Sequence, residues 1–348
     1  MSEDFVTQLR LQLREAAERE GRRGPARRLA RQASAQQLWR PALALAALAL
    51  AALAVLSLGK SLHHRPTPAH HGLHLLQRQQ LVTAGSFLDT AFGSVWAEDK
   101  ASGELLRIDP RTRAVRARIK VGASEFGLAF TGGAVWALDS GKRLLKIDPA
   151  TNRVVARFPT QTRGIFAGRD ALWLATPLGM QRFDPATEAF GRPITLTRAG
   201  FQTNSVTTDG RELYISRADG TLLVFDAHTG AQRPSPGVEV DGAAVAAAHG
   251  VVILADHEGV FALNAHTART LWSVELSKTP PVNVVLSRGV LWVEGVDETG
   301  LDRLWRLDAA TGRITGSVRL QDFGAPGLAV VGDHVWVVST NGVLQIVG

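Results

Sequence analysis

The chain has 348 residues, 45% of them apolar, with 39 basic and 32 acidic side chains and no cysteine. That length supports one large core or two small ones, and the missing cysteines exclude disulfides, thiolate metal sites and thiol nucleophiles while leaving the redox compartment open. The basic excess is confined to the first eighty residues; from residue 81 onward there are 27 basic and 27 acidic side chains, which excludes the phosphate-neutralising stripe that nucleic acids require.

Residues 1–40 form a basic tail, with nine arginines against five acidic side chains. Within it, residues 4–18 place Phe5, Leu9, Leu13 and Ala16 at helical spacing, suited to the anionic inner leaflet, to a cytoplasmic partner or to simple solvation as a basic tail that aids insertion. From Pro41 to Gly59 run nineteen uncharged residues, mostly Ala and Leu, bounded by Arg40 and Lys60. As a helix they span about 28 Å, the thickness of a bilayer core. A buried soluble helix would carry a polar face, and a cleaved signal peptide would follow a shorter leader, so an uncleaved transmembrane signal anchor is expected. Arg22, Arg23, Arg27, Arg28, Arg31 and Arg40 flank it, which keeps the N-terminus cytoplasmic and places the rest of this single-pass protein outside the cytoplasm. Residues 60–74 follow as a stalk. His63, His64, His70, His71 and His74 give it a zinc- or copper-binding composition, while Pro66 and Pro68 read as an extended spacer.

Beyond the stalk a period near forty residues takes over, the signature of stacked supersecondary units. One large apolar position recurs as Trp96, Trp136, Trp173, Tyr214, Ile253, Trp292 and Trp336. A second anchor is D-x-x-T: Asp109/Thr112, Asp148/Thr151, Asp184/Thr187, Asp226/Thr229 and Asp308/Thr311, with Asn264/Thr267 as its variant. Each unit alternates short β-branched runs with Gly, Asp, Asn and Pro, the pattern of successive hairpins. In the second unit four strands read FGLAF, AVWALD, RLLKID and VVARF. The Asp of each D-x-x-T is placed to accept bonds from the next backbone N–H groups and fix the third-to-fourth-strand turn, and the aromatic row is read as packing between units. The seventh unit stops at Gly348 after three strands, so residues 75–84 are expected to supply the fourth and close the ring. The fold class is all-β: a seven-bladed β-propeller of four-stranded blades over 75–348, preceded by the transmembrane helix.

The phrase VWALDSGKRLLKIDPATNRVVARF and its copies resemble the YVTN-type and virginiamycin B lyase-like propellers across residues 75–348. The resemblance implies a seven-bladed, extracytoplasmic domain, and, in the lyase, elimination by a His and a Glu on one face of the ring. A second likeness is to quinoprotein repeats with the docking motif A-x-D-x-x-T-G-x-x-x-W, matched by Ala262 to Trp272 except for Asn264 and Ala268; those departures leave no quinone assigned.

Propeller ligands sit mainly on the face made by the loops from strand two to three and from strand four to the next blade. There the candidates are Glu125, Arg163, Phe201, Asn204, Asp241, Asn283 and Asp322, with His257, Glu258, Glu294 and Asp297 as the cluster suited to general acid–base chemistry or a divalent metal. His228 and His266 fall in turns of the opposite face and are read as solvated. G-x-S-x-G, Walker and H-E-x-x-H motifs are absent. The expectation is a membrane-anchored binding, sensing or scaffold module with no cofactor, recognising an envelope protein, peptide or glycan. The alternative is a lyase- or lactonase-like enzyme at His257, Glu258 and Glu294 with a divalent metal.

Overall fold

The computed structural model describes residues 72–122, 127–139, 142–162, 164–168, 170–196, 203–217, 221–234, 243–255, 259–276, 283–322, 324 and 327–348. The chain divides into two units, Met1–Pro68 and Ala69–Gly348, and the described residues all fall in the second. The basic tail, the apolar stretch 41–59 and most of the stalk lie outside them; among the described residues no helix is long and apolar enough to cross a membrane.

The strands run in chain order from β1 (Leu75–Gln80). Blade 1 is β2 (Gly85–Ala91), β3 (Ser94–Asp99), β4 (Glu104–Ile108) and β5 (Val115–Lys120). Blade 2 is β6 (Leu128–Thr131), β7 (Ala134–Leu138), β8 (Arg143–Asp148) and β9 (Arg153–Pro159). Blade 3 is β10 (Gly164–Ala167), β11 (Leu172–Thr176), β12 (Gly179–Asp184) and β13 (Ala189–Thr195). Blade 4 is β14 (Thr203–Thr208), β15 (Glu212–Arg217), β16 (Leu222–Asp226) and the short β17 (Gln232–Arg233). Blade 5 is β18 (Ala243–Ala248), β19 (Val251–Ala255), β20 (Gly259–Asn264) and β21 (Thr270–Glu275). Blade 6 is β22 (Asn283–Ser287), β23 (Val290–Val296), β24 (Asp302–Asp308) and β25 (Ile314–Arg319). Blade 7 takes β26 (Gly327–Val331), β27 (His334–Val338) and β28 (Val343–Val347), and its fourth strand is β1.

Each blade is an antiparallel four-stranded meander, and the first strands of neighbouring blades touch all the way round, from β2 through β26 and back to β2. Seven blades of four strands therefore form the expected ring. Closure begins slightly before β1: His74 and Gly348 exchange backbone hydrogen bonds of 2.9 and 3.1 Å, and Leu73 is buried.

The burial pattern explains why the strands sort as they do. Strands two and three are covered on both faces by adjacent blades, so β3 and β7 are buried at every residue. Outer strands have one covered face, and β1 and β9 alternate half-buried with exposed positions. Their open edges are blunted by a bulge just after the turn in blades 1, 2, 3, 5 and 6, with Arg116, Arg118 and Lys120 adding charge in blade 1.

The core consists of seven apolar clusters, one per seam, each holding one residue of the Trp-like row. Trp96 packs with Val135 and Ala137 of blade 2, Trp136 with Leu172 and Phe183 of blade 3, and Trp173 with Leu213 and Phe225 of blade 4. Tyr214 meets Val252 and Leu263, Ile253 meets Leu291 and Val293, Trp292 meets Val335 and Val337, and Trp336 meets Val95 and Leu106 of blade 1. Burying each of these side chains contributes on the order of 2–5 kcal/mol of transfer free energy. The aromatic row is the glue between blades.

Candidate functional site

One face of the ring is built from the D-x-x-T turns. The Asp accepts from backbone N–H groups two and three residues on: Arg111 and Thr112 for Asp109, at 2.7 and 3.0 Å; His228 and Thr229 for Asp226, at 3.0 and 2.7 Å; and His266 and Thr267 for Asn264, at 3.0 and 2.9 Å. These bonds favour the ionised carboxylate. The Thr112 and Arg111 amides hold Asp109 down at about 2, and the Thr229 amide and hydroxyl do the same for Asp226. The fifth residue of all six turns takes positive φ: Arg113, Asn152, Glu188, Gly230, Ala268 and Gly312. The asparagine variant keeps the geometry because an amide oxygen accepts the same two bonds.

These turns dock on the neighbouring blades and create a groove of about 710 Å³ across blades 3, 4 and 5. His228, the third residue of the blade 4 turn, has Nδ1 at 2.8 Å from Asp170 of blade 3. His266, the third residue of the blade 5 turn, has Nε2 at 3.2 Å from Glu212 of blade 4. Glu212 and Asp209 also accept from the Tyr214 hydroxyl, at 2.9 and 3.2 Å, and burial together with those two carboxylates drives the phenol far above its ordinary range. Asp209 further accepts from the Gly250 amide of blade 5 at 3.1 Å, and Arg233 donates to Asp226 at 2.6 Å. The two histidines expected to be merely solvated are thus exposed and seam-bridging at once. The signal available in sequence was their shared third position in consecutive turns; their partners lie one blade back.

On the opposite face the candidate residues fare differently. Glu125, Arg163, Phe201, Asp241, His257 and Glu258 lie outside the described residues, and of Asn204 only its place in β14 is described. Glu294 and Asn283 are cross-strand partners, and the Asn283 amide approaches Glu294 Oε2 at 3.4 Å. Glu294 is 0% exposed, at the seam between blades 6 and 7, and its Oε1 has no hydrogen-bond partner among the described residues. Burial, reinforced by the nearby Asp302, raises its carboxyl to about 8. Asp302 is itself raised by burial, although its carboxylate accepts from the Gly324 amide at 2.5 Å. Asp297 stands apart from this pair: it closes the 297–301 turn through Thr299 and Leu301, is held well below the carboxylate range by the Thr299 hydroxyl first, and pairs with Arg303 at 3.1 Å. Asp322 is locked to Arg78 of β1 by bonds of 2.7 and 2.6 Å. A cavity of about 420 Å³ lies beside Asp297, between Glu275, Glu298, Arg303 and Trp305. Among the described residues no group of three or more His, Asp or Glu is placed to hold a metal ion.

The ring also has an interior. The first-strand residues paired opposite the Trp-like row are Asp89, Ala129, Phe166, Thr207, Ala246, Val285 and Ala329, so one carboxylate occupies this level. Asp89 opens on a central cavity of about 440 Å³.

No curated protein matches the chain at a significant level. Among solved structures it is similar to the computationally designed Ika8 protein, at 13% identity and a TM-score of 0.59 over 77% of this chain and 99% of that one. It is likewise similar to BamB from Moraxella catarrhalis, at 16% identity and a TM-score of 0.55 over 79% of this chain and 99% of that one. Both likenesses are of fold. The family model described as outer membrane protein assembly factor BamB matches residues 31–298, more than half of the chain, and the protein therefore belongs to that family.

Proposed function

We propose that this protein is a non-catalytic scaffold that presents a propeller to other proteins outside the cytoplasm, tethered to the membrane through residues 41–59. The observation that carries the reading is the groove across blades 3–5: broad, polar, and walled by turns whose carboxylates are already engaged internally. A wall fixed in this way offers a rigid polar surface, which protein docking exploits at little ordering cost. Membership of a family described by an outer membrane assembly factor supports the same reading. The partner is then an envelope protein or peptide.

A photo-crosslinking residue at Arg211, on the groove, and another at Val155, on an exposed outer strand of blade 2, test this in intact membranes. A discrete adduct from position 211 that position 155 does not give is expected. Equal adducts from both, or none from 211, would overturn it.

A lyase-like reading has one observation in its favour. Glu294, with its carboxyl raised to about 8, has the acid–base character of a catalytic carboxyl. Its complete burial supports a structural role instead. Loss of lactone or depsipeptide cleavage in E294Q, with the fold intact, would restore the catalytic reading.

A further inference from the structure

We propose that the central channel binds a small organic cation, with a protonated amine against Asp89 and an apolar body against the aliphatic wall. The cavity measures about 440 Å³, within the range of small-molecule sites, which are mostly apolar with a few polar groups that fix orientation. Leu88, Val284, Val285, Leu286, Leu328 and Val330 supply the apolar lining, and Thr90, Thr207 and Ser287 supply hydroxyls. Asp89 is the sole titratable side chain among the described residues lining it.

The chemistry of Asp89 points to a cation. Its Oδ1 accepts one bond, from the Thr90 amide at 2.7 Å, and no cationic side chain among the described residues pairs with it. The side chain is exposed to channel solvent, yet the ring surrounds it, and the resulting desolvation raises the carboxyl above its ordinary value despite the Thr90 bond. An ionised carboxylate without a partner is disfavoured there; an ammonium ion supplies that partner. A metal ion is a poorer match, because hard cations gather six or more oxygens and the wall offers one carboxylate with scattered hydroxyls. The cation binds the ionised form of Asp89, so affinity rises with pH until the carboxyl is fully ionised, and the bound cation in turn favours ionisation.

Benzylamine and its neutral analogue benzyl alcohol, titrated calorimetrically into the full chain, test the site. The wild type should bind benzylamine roughly tenfold or more tightly than benzyl alcohol, one charge-assisted contact's worth. D89N should abolish that preference. In a chain carrying 13C-carboxyl aspartate, benzylamine should also move the Asp89 titration to lower pH, a readout on the wild-type protein that survives any folding defect in the variant. Equal affinity for amine and alcohol, no binding in the millimolar range, or an unmoved Asp89 titration would overturn the proposal.

Discussion

The indole Nε1 of Trp272 donates to the carbonyl of Ala309 in the next blade at 3.0 Å, and its ring fills the space a side chain at Gly312 would need, with Cε3 2.5 Å from the position of an added Cβ. Trp173 repeats the arrangement from the second strand of its blade rather than the fourth, bonding Ala227 at 3.0 Å and abutting Gly230. Both receiving turns read Asp-Ala-x-Thr-Gly. Turns that end in Arg113, Asn152 or Glu188 receive no indole in this way.

Gly312→Ala should therefore destabilise the ring by about 2–4 kcal/mol, combining the strain of an L-residue at φ 70° with overpacking against the indole. Gly93→Ala isolates the first contribution, because φ there is 65° and nothing lies within 4 Å of an added Cβ; about 1 kcal/mol is expected. Equal losses in urea unfolding would mean that the indole contact is immaterial.

Glu294 makes stability fall as pH rises. Its folded carboxyl is raised from 4.5 to about 8, so the folded state holds the proton more tightly than the unfolded chain. The stabilisation is complete below about 4.5 and is lost as pH climbs through 8. Relative to E294Q, the wild type should lose on the order of 2–4 kcal/mol between pH 5 and pH 9. A flat difference between the two proteins across that window would contradict the assignment.

The turn aspartates act in the opposite direction. Asp109 and Asp226 are depressed to about 2, so their contribution is present above the usual 3.8 and disappears as pH falls toward 2. D226N, which imitates the natural Asn264 turn, should fold and show a shallower acid limb in thermal unfolding between pH 4 and pH 2. An acid limb as steep as that of the wild type would show that this carboxylate does not govern it.

Deleting residues 72–80 removes Leu73 from the core and leaves β28 without its outer neighbour. On burial and pairing grounds the cost is on the order of 3–6 kcal/mol. Arg78→Ala should weaken the same closure less, through Asp322 alone. An unchanged midpoint in the deletion would rule out closure by β1.

Because the chain lacks cysteine, single substitutions report topology cleanly. A membrane-impermeant maleimide added to intact cells should label R111C, on an exposed turn, and spare S2C until the membrane is permeabilised. The reverse pattern would invert the orientation.

The blade count, the turn chemistry and the ring closure were legible because Trp96, Asp109 and their equivalents recur at fixed spacing, and each acts on residues nearby in its own repeat or the next. Burial of Glu294 was also within reach: it follows Leu291, Trp292 and Val293 in a strand position that is core in every blade. The pairing of His228 with Asp170, and of His266 with Glu212, was not. Those partners are 58 and 54 residues apart and meet only through the rotation from one blade to the next, which no local pattern encodes.

Ring closure also imposes an order on synthesis. Among the described strands the first, β1, finds its sole partner in the last, β28, so the nascent propeller exists as an open arc with two unsealed flanks until β28 has been made. A chain interrupted before β28 is an arc that cannot shut, with the first and last blades presenting uncovered faces to solvent.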